Sequence, residues 1–217
     1  MAYSLARDAV TAIYHITHAR NLSGIIERGE LVCDRVRIAD GIANVNIGHA
    51  DIKQWRMGRA VKAGPGGVIA DYVPFYFAPR SPMLLSINGG NVAGYSEGQR
   101  PVVHLVASAE AVQAAGLGFA FTDGHAPMAV TKHFDDLAEL VQVDWSVMPL
   151  TYWYDTQEDP DRKRRRQAEF LVHGSVPWTM IEEIGVLDAG VAAAVEELLD
   201  GIGGHRPAVN VHRGWYY

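Results

Sequence analysis

A chain of 217 residues, 48% hydrophobic and 20% charged, has the length and balance of one soluble globular domain, residues 1–217, with an ordinary core. Its formal net charge of −6 counts against a general nucleic-acid coat protein, though not against an enzyme with a local basic surface. The single cysteine, Cys33, excludes an intrachain disulfide and a cysteine-rich zinc site, and it suits a reducing cytoplasm.

In chain order, Met1–Val10 carries Arg7 and Asp8 and lacks the apolar stretch of a signal peptide. No apolar run approaches the ~18 residues of a membrane span, so a cytoplasmic protein without membrane contact is expected. Thr11–Ile16 is apolar and β-branched, a short buried strand. Leu22, Ile25 and Ile26 share a helix face within Asn21–Arg28, and Gly29 sits where that helix would end. Residues 33–47 show no period and read as loop. A helix is expected within His49–Val61, then a breaker at Lys62–Gly67 (KAGPGG).

Tyr72–Ala78 is strand-like, with Pro74 assigning it to an edge or bulge. Pro101–Ala107 is a further strand, followed by a short helix over Ser108–Ala115 capped by Ser108. Phe119–Phe121 reads as a brief strand, Thr122–Lys132 as loop and Phe134–Val141 as helix. Glu169–His173 and Met180–Val186 are strands. Ala189–Leu199 is a helix with Val191, Val195 and Leu198 on one face, and residues 207–211 are placed to close a sheet. Short strands among short helices, without regular βαβ alternation, indicate an α+β fold.

Several known motifs are absent. No GxGxxG follows a strand, the glycines of KAGPGG lack a phosphate-loop lysine, and there is no HExxH. His15 and His18 straddle a strand end, a poor zinc arrangement, so no metal is expected. His15 and Thr17, two apart on a strand, point to one side; they suit a ribose or carboxamide, or His15 is simply satisfied by backbone. Glu169 opens an apolar strand, where a rigidly held carboxylate can bind a sugar hydroxyl and stabilise positive charge as a glycosidic bond breaks; the alternative is an exposed acid at a strand end. Arg56, with Arg59 nearby, can clamp a pyrophosphate or belong to a solvated helix face. Tyr76 and His125 can stack on a base, while Tyr76 can equally be strand packing. Five consecutive cations, Arg162–Arg166, lie beside Glu158, Asp159 and Asp161, either a solvated face or a basic contact surface.

The strings IYHITH (Ile13–His18) with Asn21-Leu22 and Gly24-Ile25, DYVPFYFAPRSPM (Asp71–Met83), FTD (Phe121–Asp123), AEFLV (Ala168–Val172) with Pro177-Trp178, and Trp215-Tyr216-Tyr217 together resemble the DarT family of bacterial toxin–antitoxin pairs. The resemblance spans most of the chain in order. It implies an ADP-ribosyltransferase fold, a split and mainly antiparallel sheet with flanking helices around an NAD cleft. It also implies a reaction in which ADP-ribose passes from NAD to a thymidine base in single-stranded DNA, opposed by a macrodomain antitoxin.

Carried over residue by residue, His15 and Thr17 would hold the nicotinamide and its ribose. Ile16, Asn21, Gly24 and Val32 would complete the NAD site, with Gly24 permitting close approach. Residues 35–58 would cover NAD, with Arg56 as catalytic arginine and NAD contact and Glu169 as catalytic glutamate. Tyr76 and Met83 would line the base pocket, and residues 122–168, with His125, would form the substrate-recognition loop. The competing readings are a transferase of this fold acting on RNA, protein or a tRNA 2′-phosphate, a non-enzymatic nucleic-acid-binding module, and a catalytically silent relative.

Overall fold

The β-branched run near the start of the chain becomes β1 (Ala12–His18) in the computed structural model, which describes residues 10–217. The stretch compared above with a signal peptide lies, except for Val10, outside the described residues. A 3-10 turn leads to α1 (Leu22–Arg28), which buries Leu22 and Ile26 and stops at Gly29 with φ +77°, a left-handed cap that a side chain would strain. Next come β2 (Glu30–Val32) and α2 (Asp34–Ala39). That second helix corrects the loop reading of 33–47 over Asp34–Ala39, while residues 40–47 are irregular as expected. The helix is six residues long and buries none of them, so it carries no apolar stripe to reveal it.

The helix expected within His49–Val61 is α3 (Ala50–Met57). The KAGPGG breaker makes a turn closed by an Ala60–Val68 bridge. Then β3 (Tyr72–Tyr76), α4 (Pro82–Asn88), β4 (Val102–Ser108) and α5 (Ala109–Ala114) follow, the last capped by Ser108, whose hydroxyl accepts from the Ala111 N–H at 3.2 Å. β5 (Phe119–His125) runs past the expected Phe121 into the supposed loop, because it continues to pair with the sheet as far as His125↔Ala168 beyond an irregularity. β6 (His133–Phe134) precedes a 3-10 helix, Leu137–Gln142, in place of the expected α-helix.

The remaining elements are α6 (Arg162–Arg165), β7 (Ala168–His173), β8 (Ser175–Pro177), β9 (Glu183–Val186), α7 (Ala189–Ile202) and β10 (Ala208–Val211). The strand expected from Met180 begins only at Glu183, since Trp178–Met180 is a 3-10 turn. In α7 the buried face is Val191, Val195 and Leu199, with Leu198 partly buried beside it.

Eight strands form one sheet in the order β10-β9-β4-β1-β3-β7-β5-β6, and β2 pairs with β8 separately. Among the described residues only β9–β10 is parallel; the other ladders are antiparallel. The α+β, mainly antiparallel architecture is therefore the one expected. β10 does not close the sheet but forms its edge. β4 is buried at all seven positions, sandwiched between β1 and β9. Each large apolar side chain so buried contributes ~1.5–3 kcal/mol.

β3 corrects the edge reading of Tyr72–Ala78, for it lies inside the sheet. It pairs with β7 at five positions but with β1 at Tyr14↔Tyr76 alone. Its flank toward β1 is open at Pro74, so the missing proline N–H costs no ladder bond there. This gap is the split in the sheet, and the functional residues gather around it.

Candidate active site

Strand register brings the first two side chains together. Tyr76 on β3 stands opposite Glu169 on β7, so both project from one face as neighbours. Glu169 is 2% exposed, not an exposed acid at a strand end. Its backbone N–H donates to the Thr122 hydroxyl at 3.0 Å, and its Oε1 accepts from the Ala126 N–H at 3.1 Å. Its Oε2 accepts from Arg56 Nη1 at 2.7 Å, across 113 residues of sequence. Arg56 comes from the last turn of α3. Its side chain is 12% exposed, so the solvated-face reading fails. Among the described residues its Nη2 is buried without a partner, and such a donor is costly unless a ligand satisfies it.

His15 bridges the split, with Nδ1 2.8 Å from the Pro74 carbonyl. A carbonyl can only accept, so Nδ1 carries the proton. Burial lowers the His15 pKa to about 4, against a raising contribution from that carbonyl. The imidazole is therefore neutral and its Nε2 is an acceptor. Thr17, two residues on, accepts from Asn21 Nδ2 at 3.1 Å. The Asn21 amide also pairs with the Val45 backbone, accepting at 2.7 Å and donating at 3.0 Å. It thereby ties the segment between α2 and α3 to the start of α1.

These groups line a cavity of about 630 Å³, within the roughly 300–1,000 Å³ usual for ligand sites. All eleven residues expected from the sequence line it: His15, Ile16, Thr17, Asn21, Gly24, Val32, Arg56, Tyr76, Met83, His125 and Glu169. The second half of the 35–58 segment, with α3, forms one wall. Met83 enters from the first turn of α4, whose cap Ser81 accepts from the Leu84 N–H at 3.1 Å. Tyr76 is a neutral phenol, its pKa raised by burial and then by Glu169. His125 is kept neutral chiefly by burial, which lowers its pKa, and it packs edge-on to Trp55 at 6.0 Å. Arg59 lies over the other ring of that pair, 5.0 Å from the Trp55 centroid.

Gly24 tests whether the cavity suits a closely held ligand. A Cβ built there meets nothing within 4 Å, and its φ is not positive. Neither packing nor backbone demands glycine, yet the position faces the cavity. Gly24→Ala removes an interior helical glycine and is expected to raise stability by ~0.5–1 kcal/mol. The family resemblance places NAD in this cavity, so the same change is expected to weaken NAD binding several-fold. Calorimetric titration beside a thermal melt checks both, and unchanged NAD affinity would show that the opening serves no ligand.

Sequence reasoning missed Asp34 and Gln167 as lining residues. Asp34 accepts from Arg37 and Lys53, each at 3.1 Å, a cluster that no spacing announces. Lys163, Gln167, Trp153 and Tyr154 also face the cavity. The arginines of the basic run are paired with acids or buried, and Lys163 alone of the run is exposed. Arg162 pairs with Asp159 at 3.1 Å, and Arg164 pairs with Asp123 at 3.0 Å and Asp161 at 2.7 Å. Arg165 pairs with Asp144 and Asp159, and Arg166 is 1% exposed.

Comparison with known proteins bears on the site as a whole. The family model for DarT, described as ssDNA thymidine ADP-ribosyltransferase, matches residues 14–217. A DNA ADP-ribosyl transferase of Thermus sp. (strain 2.9) is 43% identical over 208 residues, covering 95% of this chain and 96% of that one. Structures of Thermus sp. 2.9 DarT superpose well. The complex with ADP-ribosylated ssDNA gives a TM-score of 0.89 at 42% identity, covering 95% of this chain and 96% of the other. The complex with NAD+ gives 0.87 at 40% identity, covering 98% and 100%. The chain belongs to the DarT family of ssDNA thymidine ADP-ribosyltransferases.

Proposed function

We propose that this chain, acting as a single catalytic domain, transfers ADP-ribose from NAD to a thymidine base of single-stranded DNA and releases nicotinamide. The observation that carries this reading is the buried Arg56–Glu169 pair, 2.7 Å apart, at a cavity lined by every residue expected to hold NAD and base. NAD supplies a glycosidic bond to a cationic nicotinamide, a bond whose electron pair leaves with the ring.

Glu169 meets that chemistry as an acceptor. Its carboxylate is held on β7 and oriented by the Ala126 N–H, so it can bind the ribose 2′-hydroxyl and stabilise positive charge growing at the anomeric carbon. His15, neutral and fixed by the Pro74 carbonyl, presents Nε2 to a ribose hydroxyl, with Thr17 beside it. Arg56 uses its free Nη2 toward ligand oxygens. A guanidinium does not give up its proton in proteins, so Arg56 assists by stabilising the acceptor base as its ring nitrogen loses a proton to water. Tyr76, Met83 and His125 hold that base. A single strand is required because pairing occupies the attacking edge in a duplex.

Family membership supports a further reading, in which the chain is the toxin of a toxin–antitoxin pair acting in the cytoplasm and its antitoxin carries a macrodomain. Among the described residues, no helix is long and apolar enough to cross a membrane.

The test is to incubate the protein with NAD and, in parallel, single-stranded DNA, duplex DNA, RNA and a protein mixture, then weigh each product. The expected result is a mass gain of one ADP-ribose on single-stranded DNA, placed on thymidine by fragmentation. Modification of RNA or protein with DNA untouched would move the acceptor and reject this reading.

A further inference from the structure

The structure assigns a DNA-entry ledge to Tyr154 and Lys163 at the mouth of the cavity: Tyr154 stacks on a base flanking the target thymidine, and Lys163 takes an adjacent backbone phosphate. The proposal rests on the single-stranded DNA reading above.

Three observations support it. First, Trp153 and Tyr154 stack on each other, centroids 5.2 Å apart and planes at 25°. Trp153 is 2% exposed whereas Tyr154 is 54% exposed. The buried ring thus holds an exposed ring rigidly against the cavity that both line. Arg166, buried, places its guanidinium over Trp153 at 6.0 Å and donates to the Arg80 carbonyl at 2.8 Å, which braces the stack from below. An exposed aromatic held flat is otherwise a waste of apolar surface, and stacking platforms of this kind are how single-stranded bases are gripped without regard to sequence.

Second, electrostatics single out one cation. The arginines of the basic run are occupied by Asp123, Asp144, Asp159 and Asp161 or are buried. Lys163 is exposed, lines the cavity and has no ion pair among the described residues. It is therefore the member of the run whose charge remains available to an anion. Third, the two are tied together: the Lys163 backbone N–H donates to Asp155 at 2.8 Å, the residue next to Tyr154. The segments that carry ring and lysine are thus joined at the cavity that both residues line, as a base and its neighbouring phosphate require.

Binding of a fluorescent single-stranded oligonucleotide, measured without NAD over a range of salt, tests this directly. Lys163→Gln is expected to reduce the salt slope, d log K/d log[salt], by about 0.7, the value for one single-strand phosphate contact. Lys163→Arg should retain it. Tyr154→Ala is expected to lose roughly 5- to 100-fold in DNA affinity, and Tyr154→Phe little. NAD affinity should be unchanged in all four. A Lys163→Gln slope equal to wild type, or a Tyr154→Ala affinity equal to wild type, overturns the ledge. Wild-type protein that shows these dependences yet transfers nothing to DNA upholds the ledge and fails the transferase reading instead.

Discussion

Glu169→Gln should lower ADP-ribose transfer by roughly 10²–10³-fold or more, in a protein that still folds and still binds NAD. Glutamine is close to isosteric, and its carbonyl can keep the 3.1 Å bond from Ala126. What it loses is the charge proposed to stabilise the anomeric carbon. The change also leaves Arg56 without its carboxylate in a site where the two side chains are 12% and 3% exposed. Breaking a buried pair costs up to several kcal/mol, so a thermal melt must accompany the kinetics. The diagnostic is that two reactions fall together, transfer to DNA and hydrolysis of NAD in its absence, because the role proposed for the carboxylate is on the breaking bond and not on the acceptor. Turnover close to wild type by a folded Gln variant would remove Glu169 from the mechanism.

How much of this was readable in the residues differs by element. Strands with a strong apolar run were legible: β4 and β7 appear within one or two residues of their expected bounds. Period alone could not find α2, which buries nothing, or β2 and β8, three residues each. Pro74 misled because the rule that confines proline to edges concerns unpaired flanks, and the split gives an interior strand such a flank. The site was less legible still. Glu169 and Arg56 each looked as ordinary as a surface charge, since a one-dimensional pattern cannot show a contact across 113 residues. Only the family resemblance assembled the eleven residues, and the cavity then brought them together. Lys163 was hidden inside five like charges, because its distinction lies in what its neighbours' acids leave unpaired.

The second large effect concerns Arg56, and its form distinguishes two jobs that the static pair cannot separate. If Arg56 served only to orient Glu169, then Arg56→Ala would depress NAD hydrolysis and DNA transfer equally. Its Nη1 is committed to Glu169 while its Nη2 is buried and unpartnered, so a second role toward a ligand oxygen is expected. Arg56→Ala should therefore reduce transfer to thymidine by about 10²–10³-fold and NAD hydrolysis by clearly less. Arg56→Lys should restore the charge but little of the transfer, for an ammonium lacks the two-pronged donor geometry that reaches carboxylate and ligand at once. Raising the pH adds a further separation. The acceptor nitrogen must lose its proton, and the role proposed for Arg56 is to stabilise the resulting anion, so the variant's transfer deficit should shrink toward alkaline pH while its hydrolysis deficit stays constant. Equal losses in both reactions at every pH would confine Arg56 to holding Glu169 in place.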